Sequence, residues 1–153
     1  MLRNTRWIGR TWPVLALAAV LFTPAALHAE AVEQLLIATM RSMAAAMTEI
    51  DKFGKAAGDQ PLPVDSARKV VVLAKTIPGI FPPGSELEEL PSKFDAPTTT
   101  WDDFERFLDA QKKLVVETSK LFAVVNGGDK EAIARQMTVT RQACAACHEK
   151  FRN

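Results

Sequence analysis

The 153-residue chain is poor in the residues that build most polar sites: it has two cysteines and two histidines. The cysteines, Cys144 and Cys147, stand three apart, so a disulfide between them would close a tiny loop and constrain little of the fold. A zinc site needs four protein ligands, or three and a water. The scarcity of further cysteine and histidine leaves only carboxylates to complete one. Long apolar runs are also missing: the one candidate, Pro13 to Phe22, is 10 residues, about half the ~20 needed to span a bilayer as a helix. Nor is there an excess of one charge, with 19 basic residues against 18 acidic, which disfavours nucleic acid as a partner. No strand pair, internal repeat or low-complexity tract stands out, which argues against a sheet scaffold or a solenoid.

What is present begins with an export signal. Arg3, Arg6 and Arg10 precede the apolar run with no acidic residue among them, and small residues follow. Residues 1–29 read as a signal peptide cleaved after Ala29 or Ala31, leaving 30–153 as the working domain with no membrane anchor. The expected destination is a bacterial periplasm. Processing after Ala29 removes three arginines and no acid, giving a net charge of −2 from the residues that remain. It also removes His28, so His148 becomes the sole histidine and Trp101 the sole tryptophan. About 120 residues are enough for one domain with a real core.

Four helices are predicted. The first spans about Val32 to Phe53, with Leu36, Met40, Met43, Met47 and Ile50 at helical spacing. The second spans about Val64 to Thr76, with Ala67, Val70, Val71, Ala74 and Ile77 on one side, although its three consecutive valines also suit a strand. Pro78 and Gly79 end it. A proline-rich connection from Pro78 to Thr100 follows, longer than ordinary loops. Thr100 and Asp103 have capping spacing for the third helix, in which Trp101, Phe104, Leu108, Val115, Thr118, Phe122 and Val125 recur every three or four residues. "NGGD" (126–129) makes a tight turn, with Asp129 as N-cap of the fourth. Its stripe runs Ile133, Met137, Thr140, Cys144, Cys147, His148 and Phe151. The fold class is all-α, a four-helix bundle with one long crossover connection.

Residues at i, i+3 and i+4 share a helix face, so Cys144, Cys147 and His148 point into the bundle together. A thioredoxin-like pair would sit at a helix N-terminus after a strand, whereas this one is near a helix C-terminus. Covalent haem explains the whole arrangement. Two thiols one turn apart add across the porphyrin vinyl groups, the next residue reaches the iron, and C-x-x-C-H is the attachment signal. Haem c, held by Cys144 and Cys147 with His148 as proximal ligand, is the expected cofactor. On the opposite face a second histidine is excluded, and methionine is the natural alternative. Met137 shares the haem-bearing helix and cannot reach over, which leaves Met40, Met43 and Met47.

"CAACHEKFR" at the carboxyl end, the four helices, the Phe-Pro-Pro-Gly turn (81–84) and Trp101 at the start of the third helix resemble the cytochrome c′ family. With its low-spin methionine-ligated relatives, that family makes up the class II c-type cytochromes. The resemblance covers essentially the whole mature chain. It implies a periplasmic protein, often a dimer through its first two helices, that either carries electrons or binds small gases. It puts Met40 at the distal position over the iron as the expected ligand, with Met43 second. It also matches Arg152 to a family arginine beside the proximal pocket. The family's arginine one turn before the distal residue is replaced by Leu36, so Ser85, Arg41 or solvent is expected to meet the haem propionates.

The expected function is electron transfer with a transient redox protein partner, without enzymatic turnover. Arg135, Arg141, Lys150 and Arg152 are candidates to steer an acidic partner. The alternative is a five-coordinate gas binder taking nitric oxide or carbon monoxide. Peroxidase chemistry is the weakest reading, because no distal acid–base residue is available.

Overall fold

The computed structural model describes residues 24–80 and 104–151 of the chain. Four α-helices account for most of them: α1 (Pro24–Lys55), α2 (Val64–Thr76), α3 (Phe104–Gly127) and α4 (Lys130–Phe151). They pack in a closed ring, each against the next, with α4 returning to α1. The α4–α1 side is the thinnest of the four and α3–α4 the most extensive.

The valine-rich centre of the second segment is helical, because Ala67, Val70 and Ala74 at 0–1% exposure fill the i, i+3, i+7 side against the core. Pro78 does not stop the chain at once. A 3-10 turn over Ile77–Ile80 carries the inward face one step further and buries both isoleucines. α1 begins at Pro24, earlier than the apolar stripe alone predicts. Its central inward line is Thr39, Met43, Ala46, Ile50 and Phe53, with Met40 and Met47 half-buried on the flank.

The third helix buries Thr118 and Val125 of its predicted stripe but puts Leu114 and Leu121, not Val115 and Phe122, at the centre. Leu114, Thr118, Leu121 and Val125 are the buried positions, while Val115 and Phe122 are only half-buried beside them. The cause is packing on two sides, against α2 and α4, which widens the buried arc until either phase looks apolar in sequence. Between α3 and α4 the chain reverses in two residues. Gly128 at φ 74° supplies the left-handed step and its N–H bonds to Val124 O and Val125 O. Asp129 caps α4 as expected, its Oδ1 accepting from the N–H groups of Glu131 (2.9 Å) and Ala132 (3.2 Å).

Contacts between elements fix direction. Lys130 at the start of α4 donates to Ala56 O and Gly58 O at the end of α1. Gln111 of α3 donates to Ala74 O of α2, and Gln136 of α4 to Glu117 of α3. Neighbouring helices are therefore antiparallel. The end of α4, the start of α3, the 3-10 turn and the first half of α1 meet at one end of the bundle. Residues 1–23, the connection 81–103 (with Phe81–Gly84, Ser85, Trp101 and the Thr100/Asp103 cap) and Arg152 lie outside the described residues.

A candidate cofactor-attachment site at one end of the bundle

The inward stripe of α4 changes character along its length. Ile133, Met137 and Thr140 are buried, whereas Cys144, Cys147, His148 and Phe151, on the same stripe one to three turns later, are half-buried. The helix therefore delivers both thiols and the imidazole to one face that keeps accessible surface. Phe151 is held edge-on against Phe107 of α3, with centroids 5.5 Å apart at 85°, which pins the last turn of α4 in place.

Both cysteines are free. Burial pushes each thiol above its ordinary range, and at Cys147 the neighbouring Cys144 adds to the effect. A metal-thiolate or redox-active pair has the opposite bias, toward the thiolate. Among the described residues no group of three or more histidine, cysteine, aspartate or glutamate side chains could hold a metal ion. One imidazole with two protonated thiols beside it is a poor cage for a bare cation. It suits a metal that arrives inside its own macrocycle and needs two covalent anchors and one axial nitrogen. The residues present fit haem c.

Two tethers set which part of α1 faces His148. Taking Lys130 opposite Ala56–Gly58, and Arg141 opposite Asp51 (2.9 Å), and counting equal rises along antiparallel helices, His148 lies at the level of roughly residues 39–44 of α1. Both candidate methionines fall in that window. Met43 belongs to the core at 5% exposure, while Met40, like Met47, is half-buried and packs against it. Met47 falls a turn away, nearer the level of Cys144.

Sequence reading overlooked Thr39, which lies in the same window. It is 7% exposed, and its hydroxyl has no hydrogen-bond partner among the described residues. The 4, 3, 4, 3 spacing from Thr39 to Phe53 carried the signal, but the methionine stripe masked it. Two of the candidate steering cations are in ion pairs. Arg141 is paired with Asp51 and Arg135 with Glu131 (3.2 Å), leaving Lys150 as the exposed unpaired cation of that set among the described residues. Arg41 is exposed on α1.

Comparison with known proteins bears on all of this. The family model for cytochrome c′ matches residues 31–152. A cytochrome c-556 from Agrobacterium tumefaciens (strain II Chrys) is 27% identical over 99 residues, which is 62% of this chain and 76% of that protein. The crystal structure of cytochrome c′ from Rubrivivax gelatinosus superposes with a TM-score of 0.62 at 22% identity, covering 86% of this chain and 99% of the other. A cytochrome c′ with an unusual ligand-controlled dimer dissociation gives 0.65 at 20% identity, over 82% of this chain and 95% of that one.

Proposed function

Because the chain belongs to the cytochrome c′ family, whose members bind a covalently attached haem c, we propose that it is a single-electron carrier exported to the periplasm. In this reading Cys144 and Cys147 anchor the cofactor through thioethers, His148 is the proximal iron ligand, and Met40 is the distal ligand. When bound, the haem iron supplies a one-electron ferric/ferrous couple.

The chain's own residues have simpler duties. The rigid turn of α4 between Cys144 and His148 fixes the separation of anchors and axial nitrogen. Phe107 and Phe151 hold that turn against α3. Burial keeps the thiols protonated and apolar until they are alkylated. The single observation that carries the reading is the half-buried Cys144–Cys147–His148 face, with Met40 the half-buried methionine in the stretch of α1 level with His148. A thioether there would raise the reduction potential relative to a second imidazole.

The family match starts at residue 31, next to the cleavage points after Ala29 and Ala31, which supports an export signal upstream of it. Among the described residues no helix is long and apolar enough to cross a membrane. A homodimer through the first two helices, which carry the exposed Leu35 and Val72, belongs to the same reading. Arg152 and Ser85 remain proposed neighbours of the cofactor.

The test uses protein matured in a periplasm. Mass spectrometry should find one haem on the peptide containing Cys144 and Cys147. The ferric protein should be low-spin, with the weak near-infrared sulfur-to-iron band, and Met40→Ala should abolish that band while Met43→Ala keeps it. A high-spin wild-type spectrum with ready carbon monoxide or nitric oxide binding would overturn the carrier reading in favour of a gas binder.

A further inference from the structure

Residues of α3 and α4 line a second feature that reaches the attachment turn at Cys147. It is a solvent-open groove of about 560 Å³. Ala143, Ala146 and Cys147 line it on α4, with Val139, 41% exposed, further along the same helix. Arg106, Lys113 and Lys150 stand around it. Two carboxylates also line it, but each is already matched. Asp109 pairs with Lys112 (3.1 Å), and Glu117 with Lys120 (2.7 Å) and the Gln136 amide (2.7 Å). Lys113 and Lys150 have no ion-pair partner among the described residues. The groove is thus locally basic on a chain whose 19 basic and 18 acidic residues nearly balance.

The α4 lining matters as much as the charge. Cys147 belongs both to the proposed anchor face and to this groove, and its neighbours are two alanines. Over this turn the surface is separated from the attachment point by methyl groups, where larger side chains would hold a partner away. We infer that the groove between α3 and α4 is the docking surface for an acidic redox protein. Carboxylates on that protein engage Lys113 and Lys150, and its contact face rests on Ala143, Ala146 and Val139. The inference rests on the carrier reading and adds the face and the charge of the partner. Because only a few charges act, the attraction is local and screened within about 10 Å at 0.1 M salt, favouring a transient complex.

The test uses the holoprotein and two small redox probes of opposite charge, the ferrous-EDTA anion as reductant and the tris(phenanthroline)cobalt(III) cation as oxidant. Lys113→Glu with Lys150→Glu should slow reaction with the anion about three- to tenfold at low ionic strength. It should speed reaction with the cation, and both effects should fade at high salt while the absorption spectrum stays unchanged. Lys69→Glu with Lys75→Glu on α2 is the control and should do neither. A second readout needs no electron transfer. Carbodiimide coupling of a short polyglutamate peptide should mark Lys113 and Lys150 ahead of Lys69 and Lys75. Equal effects from both lysine pairs, or coupling concentrated on α2, would overturn the inference. If the wild type reacts with neither probe, the carrier reading fails, and the coupling pattern still decides where an acidic chain binds.

Discussion

At the scale of single residues the informative contrast is among threonines. Thr48, Thr76, Thr118, Thr138 and Thr140 each return the hydroxyl to a carbonyl three or four residues back. Thr39 is the helical threonine among the described residues that does not, although it is buried. An unpartnered buried hydroxyl gains nothing from being polar, and replacing it by an isosteric methyl is close to neutral or stabilising. Thr140 is different, because its hydroxyl donates to Gln136 O (2.9 Å) and Glu117 O (3.3 Å), joining α4 to α3. Thr140→Val is expected to cost about 1 kcal/mol, and Thr39→Val to leave stability unchanged or raise it, as read by urea denaturation of the holoprotein. Equal losses would show that Thr39 has a partner in the folded protein. That Cys144, Cys147 and His148 share one face of α4 was legible in the sequence, because C-x-x-C-H is a local pattern and one helix turn fixes its geometry. Thr39 was not, because whether a hydroxyl is satisfied depends on rotamer and neighbours, which spacing does not encode.

At the scale of elements, the joint between α1 and α4 far from the cofactor is a latch. Lys130 donates to Ala56 O (2.7 Å) and Gly58 O (3.1 Å) and lies 5.2 Å from the centroid of the Phe53 ring. A cation there satisfies carbonyls that the end of α1 leaves open. Asp129, one residue earlier, caps the start of α4. Lys130→Met should cost about 1–2 kcal/mol and Asp129→Ala about 1 kcal/mol. Both lie some 27 Å along α4 from His148, so thermal melts should shift while the haem spectrum does not. A spectral change would mean that the latch sets the axial geometry. Helix existence was legible throughout, even for the three valines of α2, because length and apolar spacing agreed. The phase of α3 was not. Val115 and Phe122 sit one residue from Leu114 and Leu121, and only packing on both α2 and α4 decides which pair is central. Leu121→Ala, at 0% exposure, should cost about 2–5 kcal/mol, well above Phe122→Leu at a half-buried site. The same denaturation experiment checks both.

At the scale of the whole molecule, α4 is held to both of its neighbours by carboxylates. Asp51 of α1 accepts hydrogen bonds from Lys55 and Arg141, which hold its carboxyl below the ordinary range. Glu117 of α3 accepts from Lys120 and Gln136 with the same result. A carboxyl whose folded pKa is depressed stabilises the fold fully above its unfolded value, near 4 for either side chain. That contribution drains away as pH falls through the lower, folded value. Acid should therefore weaken the ties of α4 to α1 and α3 together, on the helix that carries Cys144, Cys147 and His148. Thermal melts of the holoprotein should hold steady from about pH 7 to 5 and begin to decline below about 4 as these contributions are lost. Asp51→Asn with Glu117→Gln should lower the plateau and flatten the acid limb, because those groups no longer take up protons on unfolding. An acid limb as steep in the double variant as in the wild type would place the sensitivity elsewhere. A wild-type protein that becomes more stable below pH 4 would show that the sign of both shifts is wrong.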